Sequence, residues 1–106
     1  MRSQKLLRIR EEVLKALREL AKELRAEVYL FGSYAKGTHT LHSDVDIVVV
    51  SEVFKGIDYI KRVELVRTKL PTNIGFDIIA LTPEELRARL SKAFYREISR
   101  YWIKIK

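Results

Sequence analysis

Three aspartates and a Gly-Ser pair are the residues of this chain whose types and spacing point to chemistry. Asp44 and Asp46 stand one residue apart at the start of the apolar run "DVDIVVV", and Asp77 lies within a second apolar run, "FDIIAL". Residues two apart on a strand point to the same side of a sheet, so the first two carboxylates should aim together. Two close carboxylates repel each other, and a bound Mg²⁺ would remove that repulsion. We therefore expect a metal site at Asp44 and Asp46, which Asp77 can join if the two runs form neighbouring strands.

The Gly-Ser pair supplies a different kind of group. Gly32 and Ser33 are separated from Asp44 by ten residues and stand where a short strand should lead into a helical turn. Glycine lets the backbone approach a ligand closely, and free N–H groups at the start of a helix attract phosphate. Each of these signals is weak alone, because Gly-Ser pairs often form turns and paired aspartates often cap loops. Together they predict a phosphate cradle beside two metals, the arrangement for in-line displacement at phosphorus.

A Gly-Ser pair followed after ten residues by Asp-x-Asp resembles the signature of the DNA polymerase β-like nucleotidyltransferase superfamily. In its short length the chain resembles the minimal nucleotidyltransferases, or MNT type, of archaea and bacteria. The resemblance extends over nearly all of the chain, up to the third carboxylate just before "LTPEEL". It implies a single minimal nucleotidyltransferase domain over residues 1–106 with the polymerase β-like palm fold.

The resemblance also implies roles for the residues of the motif. Gly32 and Ser33 would hold the β- and γ-phosphates of a nucleoside triphosphate. Asp44 and Asp46 would bind two Mg²⁺ ions, and Asp77 would share one of them and help to activate the attacking hydroxyl. The family often has an arginine directly after Gly-Ser. Here Tyr34 stands at that position, and Lys36 is the nearby residue that could supply a positive charge.

Partners follow from the same resemblance. MNT proteins commonly pair with a helical HEPN protein as antitoxin and toxin, and some of them adenylylate a tyrosine of that toxin. The implied function is Mg²⁺-dependent transfer of a nucleoside monophosphate, AMP, from an NTP such as ATP to a hydroxyl of a HEPN-type partner. The alternative is an antitoxin that binds its partner without chemistry. Direct binding of nucleic acid rests on charge alone, and a homo-oligomer stays open.

The hydrophobic pattern indicates the elements that must position these groups. Apolar residues recur at helical spacing in two segments, and β-branched residues concentrate in three short runs. The pattern predicts an α/β (α+β) domain whose small mixed sheet carries helices mainly on one face. The expected elements are a helix over 3–25, strands over 27–32, 44–51 and 74–81, a helical turn over 33–37, a helix over 57–70 with a buried stripe of Ile57, Ile60, Val63, Val66 and Leu70, and a last helix from 83 to the mid-nineties.

Composition narrows the class of protein. The 106 residues include no cysteine, which excludes a disulfide framework and a thiolate metal site. No apolar run approaches the ~20 residues of a membrane span, and the charged N-terminus does not resemble a signal peptide. We therefore expect a cytoplasmic protein with no membrane partner. The net charge of +7 favours anionic partners such as nucleotides.

Two further groups of residues attract attention. His39 and His42 precede the aspartates, and we expect them to be solvated loop residues rather than zinc ligands. The basic and aromatic segment 95–106 could stack on bases, anchor a protein partner or pack on the core of the domain. We expect its removal to disturb a complex more than it lowers thermal stability.

Overall fold

The computed structural model describes residues 3–105. Its centre is a mixed four-stranded sheet with helices on both faces. The sheet order is β3-β2-β1-β4, in which β2 and β3 are parallel and the other two pairs are antiparallel. The predicted α/β fold with a small mixed sheet is confirmed. In chain order the elements are α1 (Gln4–Leu24), β1 (Glu27–Phe31), α2 (Gly32–Lys36), β2 (Val45–Val50), a 3₁₀ turn (Glu52–Phe54), α3 (Tyr59–Thr68), β3 (Phe76–Leu81), α4 (Pro83–Arg89), α5 (Ala93–Ser99) and β4 (Ile103–Ile105).

The main core lies between the sheet and the two long helices. Helix α1 begins at Ser3, whose hydroxyl accepts a hydrogen bond from Leu6 N at 3.2 Å, and it buries its apolar stripe completely at Val13, Leu17 and Leu20. Alternate residues of the strands face this stripe, as the period of two in a strand requires. The buried residues of this face from the strands are Val28, Leu30, Val45, Ile47, Val49, Phe76, Ala80 and Ile105.

The opposite face of the sheet is only partly covered. The short helices α4 and α5 lie on it and contribute Leu86 and Ile98 to a second buried cluster with Phe31, Val48 and Val50. The strand residues that share this face with the cluster include those at positions 46 and 77. The two long helices therefore pack on one face, and the other face holds the acidic residues beside a smaller apolar cluster.

The prediction of one continuous helix from residue 83 to the mid-nineties is wrong. Helix α4 ends at Arg89, and a new helix begins at Ala93 after Lys92, whose backbone is extended. A straight helix would place residues 86 and 98 about 18 Å apart along its axis. The break instead allows Leu86 and Ile98 to join the same cluster on the sheet.

The buried stripe predicted for α3 is also wrong in part. Ile60 is 73% exposed, and Arg62 is 8% exposed and faces the sheet in its place. Its guanidinium donates to Ile57 O at 2.8 Å, to Ala80 O at 3.2 Å and to Glu85 Oε1 at 2.6 Å. A buried charge is tolerated when it is paired and hydrogen-bonded, which explains why an arginine can replace an apolar residue here.

Other side chains of α3 also attach to β3. The Tyr59 hydroxyl donates to Ile78 O at 3.5 Å and accepts from Ala80 N at 3.4 Å. Arg67 donates to Phe76 O at 3.2 Å. These contacts hold the helix along the outer side of the strand and fix the position of β3 in the sheet.

The ion pair of Glu85 with Arg62 should make stability depend on pH. Hydrogen bonds from the Arg62 side chain and from Thr82 N lower the pKa of Glu85 to about 2, from 4.5. A lowered pKa in the folded state stabilises the fold above pH 4.5, and the contribution is lost as the pH falls from 4.5 towards 2. We expect Glu85→Gln to cost about 1 kcal/mol at pH 7, because the carboxylate is partly exposed, and nearly nothing at pH 2.

Urea unfolding of the wild type and of Glu85→Gln between pH 7 and pH 2 measures this difference. The exposed neighbour Glu84, changed to Gln, is the matched control and should leave the stability nearly unchanged. A constant difference between wild type and Glu85→Gln over the whole pH range would contradict the ion-pair explanation.

The segment 95–105 packs in the core, the third of the roles left open above, whereas we expected its removal to disturb a complex more than thermal stability. Ile98 and Ile105 are 3% and 6% exposed, and Trp102 stacks on Tyr29 with ring centroids 4.1 Å apart. Strand β4 pairs with β1 and was not predicted, although apolar and basic residues alternate through "IKIK". Deletion of 95–106 should therefore lower thermal stability strongly.

A single substitution tests the role of β4 with less disruption. Ile105→Ala removes a buried side chain from the main core and should cost about 2–3 kcal/mol of the free energy of unfolding. Lys104→Ala, in the same strand, removes only an exposed ion pair to Glu27 and should cost less than about 1 kcal/mol. Denaturant unfolding measures both, and equal losses in the two variants would argue against β4 as part of the core.

None of the helices within residues 3–105 is both long enough and apolar enough to cross a membrane.

Candidate active site at the mouth of strands 2 and 3

The parallel pairing of β2 with β3 brings two of the three aspartates together. Asp46 and Asp77 are direct partners in the register, and they point to the same face of the sheet. Asp44 precedes β2, and Val45 N beside it donates to Gly75 O at 2.9 Å, which holds the start of β2 against the start of β3. The three aspartates thus lie at one end of one strand pair.

Asp46 is the electrostatic centre of this group. Burial raises its pKa first, and then the charge and hydrogen bond of Asp77 and the charge of Asp44 raise it further, to about 6 from 3.8. Within residues 3–105, none of these three carboxylates forms an ion pair with a basic side chain. The folded protein therefore carries a cluster of like charges that its own cations do not neutralise.

Asp44 stands slightly apart from the other two. Its carboxylate leans towards β3, where a Cβ on Gly75 would overlap Asp44 Oδ1, and it acts on Asp46 through charge alone. Asp44 and Asp77 are exposed. In the described part of the chain, no three His, Cys, Asp or Glu side chains are gathered as a ready-made metal-ligand group. The carboxylates form a close pair, Asp46 and Asp77, with Asp44 beside it.

The donor set of these three residues nevertheless fits Mg²⁺. Magnesium prefers carboxylate oxygens and usually keeps part of its shell for water and substrate phosphates, so it needs only one or two protein carboxylates. Burial and the two neighbouring carboxylates raise the pKa of Asp46, so its ionised form is not stabilised by the surrounding residues. A hard cation beside the close pair of Asp46 and Asp77 would stabilise it, and Asp44 could add a ligand from the edge of the site.

The Gly-Ser turn lies directly against Asp46. Gly32 has φ +70°, and a Cβ at this position would overlap Asp46 Oδ2, so both its conformation and its surroundings require glycine. The turn continues as α2, which includes Ser33 and ends at Gly37 with φ +76°, as predicted for a helical turn. The chain thus places the start of α2 next to the carboxylate with the raised pKa.

Tyr101 also contacts this turn, which the sequence did not indicate. Its hydroxyl accepts a hydrogen bond from Gly32 N at 3.3 Å, and Lys36 Nζ lies 4.5 Å from the centre of its ring. Gly32 and Tyr101 are separated by 69 positions, so only the folded chain brings them together. Lys36 is therefore held close to the turn, where a positive charge is available to an anionic ligand.

The residues around α2 correct the expectation for one histidine. His39 is 3% exposed, stacks on the buried ring of Tyr34 with centroids 4.2 Å apart, and has Nε2 3.4 Å from Leu6 O. His42 is exposed, as expected. Tyr34, at the position where the family often has arginine, points into the core. Tyr34 and His39 therefore pack in the interior beneath the loop 38–43 and do not face the aspartates.

A groove of about 590 Å³ lies elsewhere, between α1 and the strand pair β1–β4. Its side chains carry both signs of charge, and none of the three site aspartates lines it. The lining residues are Lys15, Arg18, Glu19, Ala21, Lys22, Ala26, Glu27, Lys104 and Ile105. At the candidate site, Asp44 and Asp77 are exposed and Asp46 is half-buried.

The chain is similar to known proteins in sequence. The family described as "Nucleotidyltransferase domain" matches residues 10–102. A protein of Methanocaldococcus jannaschii named "Putative protein adenylyltransferase" is 32% identical over 93 residues, in an alignment that covers 79% of this chain and 88% of that protein.

Solved structures resemble the fold. A crystal structure described as a "putative nucleotidyltransferase" from Sulfolobus solfataricus has a TM-score of 0.65 at 23% identity, and the match covers 97% of this chain and 87% of that one. A second structure with the same description has a TM-score of 0.53 at 26% identity and covers 88% and 97% of the two chains. These likenesses agree with the predicted polymerase β-like fold. Since the family match includes the turn, both strands of the site and nearly all other elements, the chain belongs to the nucleotidyltransferase domain family.

Proposed function

We propose that this nucleotidyltransferase moves AMP from ATP to a hydroxyl of a protein, releasing pyrophosphate. The observation that carries the proposal is the direct pairing of Asp46 with Asp77, with the Gly32 backbone against Asp46. The backbone of the Gly-Ser turn thus lies directly beside the carboxylates. The same constellation on a nucleotidyltransferase fold supports transfer at the α-phosphorus of the nucleotide.

Each residue has a distinct role in this proposal. The backbone of Gly32 and Ser33 binds the β- and γ-phosphates, and Lys36 adds a positive charge near them. Asp44, Asp46 and Asp77 hold Mg²⁺, which when bound neutralises the negative charge that develops on the transferred phosphoryl group. Asp77 is exposed on the open side of the site and accepts the proton of the attacking hydroxyl.

A protein acceptor is supported by the relative from Methanocaldococcus jannaschii, whose name describes a protein adenylyltransferase. We propose that residues 1–106 act as one minimal domain of the MNT type, in the cytoplasm, and that the acceptor is a HEPN-type partner which modification neutralises. The exposure of Asp44 and Asp77 supports this, because an exposed site admits a hydroxyl carried on another protein.

The test is to incubate the protein with Mg²⁺ and each of the four α-labelled NTPs, with and without its co-purifying protein. We expect label from ATP on the partner protein, dependent on Mg²⁺ and absent when the label is on the γ-phosphate. Stable binding to a partner with no transfer of label from any NTP would instead favour a non-catalytic antitoxin.

A further inference from the structure

A half-exposed aromatic ring lies on the same face of the sheet as the site aspartates. Phe94, in α5, is 49% exposed, and its ring packs edge-to-face on Phe31 with centroids 5.9 Å apart. Phe31 is the register partner of Asp46 in the β1–β2 pair. Directly opposed residues of an antiparallel pair share a face, with Cβ atoms about 5 Å apart. The chain of contacts therefore runs from Asp46 through Phe31 to Phe94.

This arrangement sets a distance that suits a nucleotide. The Phe94 ring lies on the order of 10 Å from the Asp46 carboxylate, given the cross-strand spacing and the ring contact. A nucleotide held by its phosphates at the aspartates and the Gly32 turn can place its base at that separation, because the ribose lies between the two. The Phe94 ring contacts Phe31, a member of the second buried cluster, and is itself half exposed to solvent.

The ring is also free to accept a stacked partner. The two ring contacts of Phe94 within residues 3–105, with Phe31 and with Tyr95, are both edge-to-face, at 84° and 88°. By contrast, Tyr29 and Tyr34 each have a parallel ring stacked against them, from Trp102 and His39. In the described part of the chain, Phe94 thus differs from these two in having no stacked ring on it, although it is large and half exposed.

We infer that Phe94 stacks on the nucleobase of the bound NTP and strengthens the binding of the nucleoside part of the substrate. The inference rests on the proposed function, because it uses the aspartates and the turn as the place of the phosphates. Stacking tolerates any base, since every base has a π-face. Phe94 should therefore strengthen nucleotide binding in general, with purines bound more tightly than pyrimidines because of their larger ring area.

The experiment compares ligands with and without a base. Binding of the α,β-methylene analogue of ATP, which blocks transfer, and of inorganic tripolyphosphate is measured by calorimetry in Mg²⁺ for wild type, Phe94→Tyr, Phe94→Leu and Phe94→Ala. Loss of base stacking is worth about 5- to 100-fold in Kd. We expect this loss for the ATP analogue in the Leu and Ala variants, little change in Phe94→Tyr, and unchanged binding of tripolyphosphate in all of them.

Two measurements exclude a general disturbance of the fold. Thermal unfolding of the Phe94 variants should be close to wild type, because half of the ring is already in solvent. Ile60→Ala removes a comparable exposed apolar side chain from α3 and should leave both affinities unchanged. Leucine keeps most of the apolar bulk of phenylalanine without its π-face, so a loss in Phe94→Leu reports stacking rather than burial.

The outcomes separate this inference from the proposed function. If Phe94→Leu binds the ATP analogue with the same Kd as the wild type, Phe94 does not stack on the base. That result would leave the proposed nucleotidyltransferase site intact. A variant that binds nucleotide normally but loses only its protein acceptor would place that acceptor on the ring and also overturn the inference. Failure of the wild type to bind the analogue would overturn the proposed function and the inference together.

Discussion

The double variant Asp44→Asn/Asp46→Asn is expected to lower nucleotidyl transfer by about a thousandfold or more. Neutralising charge at the transferred phosphoryl group supplies several kcal/mol of transition-state stabilisation, and each 1.4 kcal/mol is a factor of ten in rate. Asparagine preserves the shape of both side chains and removes the charges that we propose hold Mg²⁺. Transfer of label from α-labelled ATP at saturating Mg²⁺ measures the loss.

The change at Asp46 should by itself raise the stability of the protein in the absence of metal. Burial and the neighbouring carboxylates raise the pKa of Asp46 to about 6, from 3.8. A raised pKa means that the folded state binds protons more tightly, so this group destabilises the fold increasingly as the pH rises from about 4 through 6. We expect Asp46→Asn to stabilise the protein by about 1 kcal/mol at pH 7 with chelator present, after discounting for its partial exposure.

Thermal unfolding with and without Mg²⁺ separates the two effects. Mg²⁺ should raise the Tm of the wild type and leave the double variant unchanged, because a ligand stabilises only the state that binds it. Asp58→Asn, which removes an exposed carboxylate at the start of α3, is the matched control and should alter neither transfer nor the response to Mg²⁺. Transfer at the wild-type rate in the double variant would refute the catalytic assignment.

Asp77→Asn is expected to separate turnover from substrate affinity. Asp77 lies opposite Asp46 and is more exposed, so it is the carboxylate that can reach both the metal and an incoming hydroxyl. Removing a general base costs about a hundredfold or more in kcat. The turn at Gly32 and the other two aspartates remain in this variant, so KM for ATP should change by only a few-fold.

Steady-state transfer to the partner protein at varied ATP measures both constants. If Asp77→Asn lowers ATP affinity as strongly as it lowers turnover, Asp77 binds metal and does not act as the general base. Normal turnover in Asp77→Asn would remove it from the site.

The placement of the aspartates follows from local rules. Alternation along "GFDIIAL" puts Gly75, Asp77 and Ile79 on one side of the strand, and the structure has Asp77 on the face that Asp46 shares. Apolar content on both faces of β2 identified it as a central strand, and the structure meets the condition that β3 lies beside it. The roles of these residues in catalysis remain predictions that the variants above test.

The contacts that the sequence did not reveal are those made across long distances along the chain. Arg62 looks like a solvated residue of a basic helix, and its burial becomes favourable through the carbonyls of Ile57 and Ala80 and the carboxylate of Glu85. The position of Tyr101 at Gly32 depends on β4 pairing with β1, which no local pattern specifies. The break between α4 and α5 likewise arises because residues on both sides of it share one cluster on the sheet.

The attachment of α3 to β3 has a consequence for how this protein associates with others. The outward-facing carbonyls of Phe76, Ile78 and Ala80 each receive a hydrogen bond from a side chain of α3. A free sheet edge is a template for pairing with another chain, and this edge is already occupied. Growth of the sheet by strand addition, whether with a partner or in aggregation, is thereby directed to β4, a short edge that bears Lys104 at its centre.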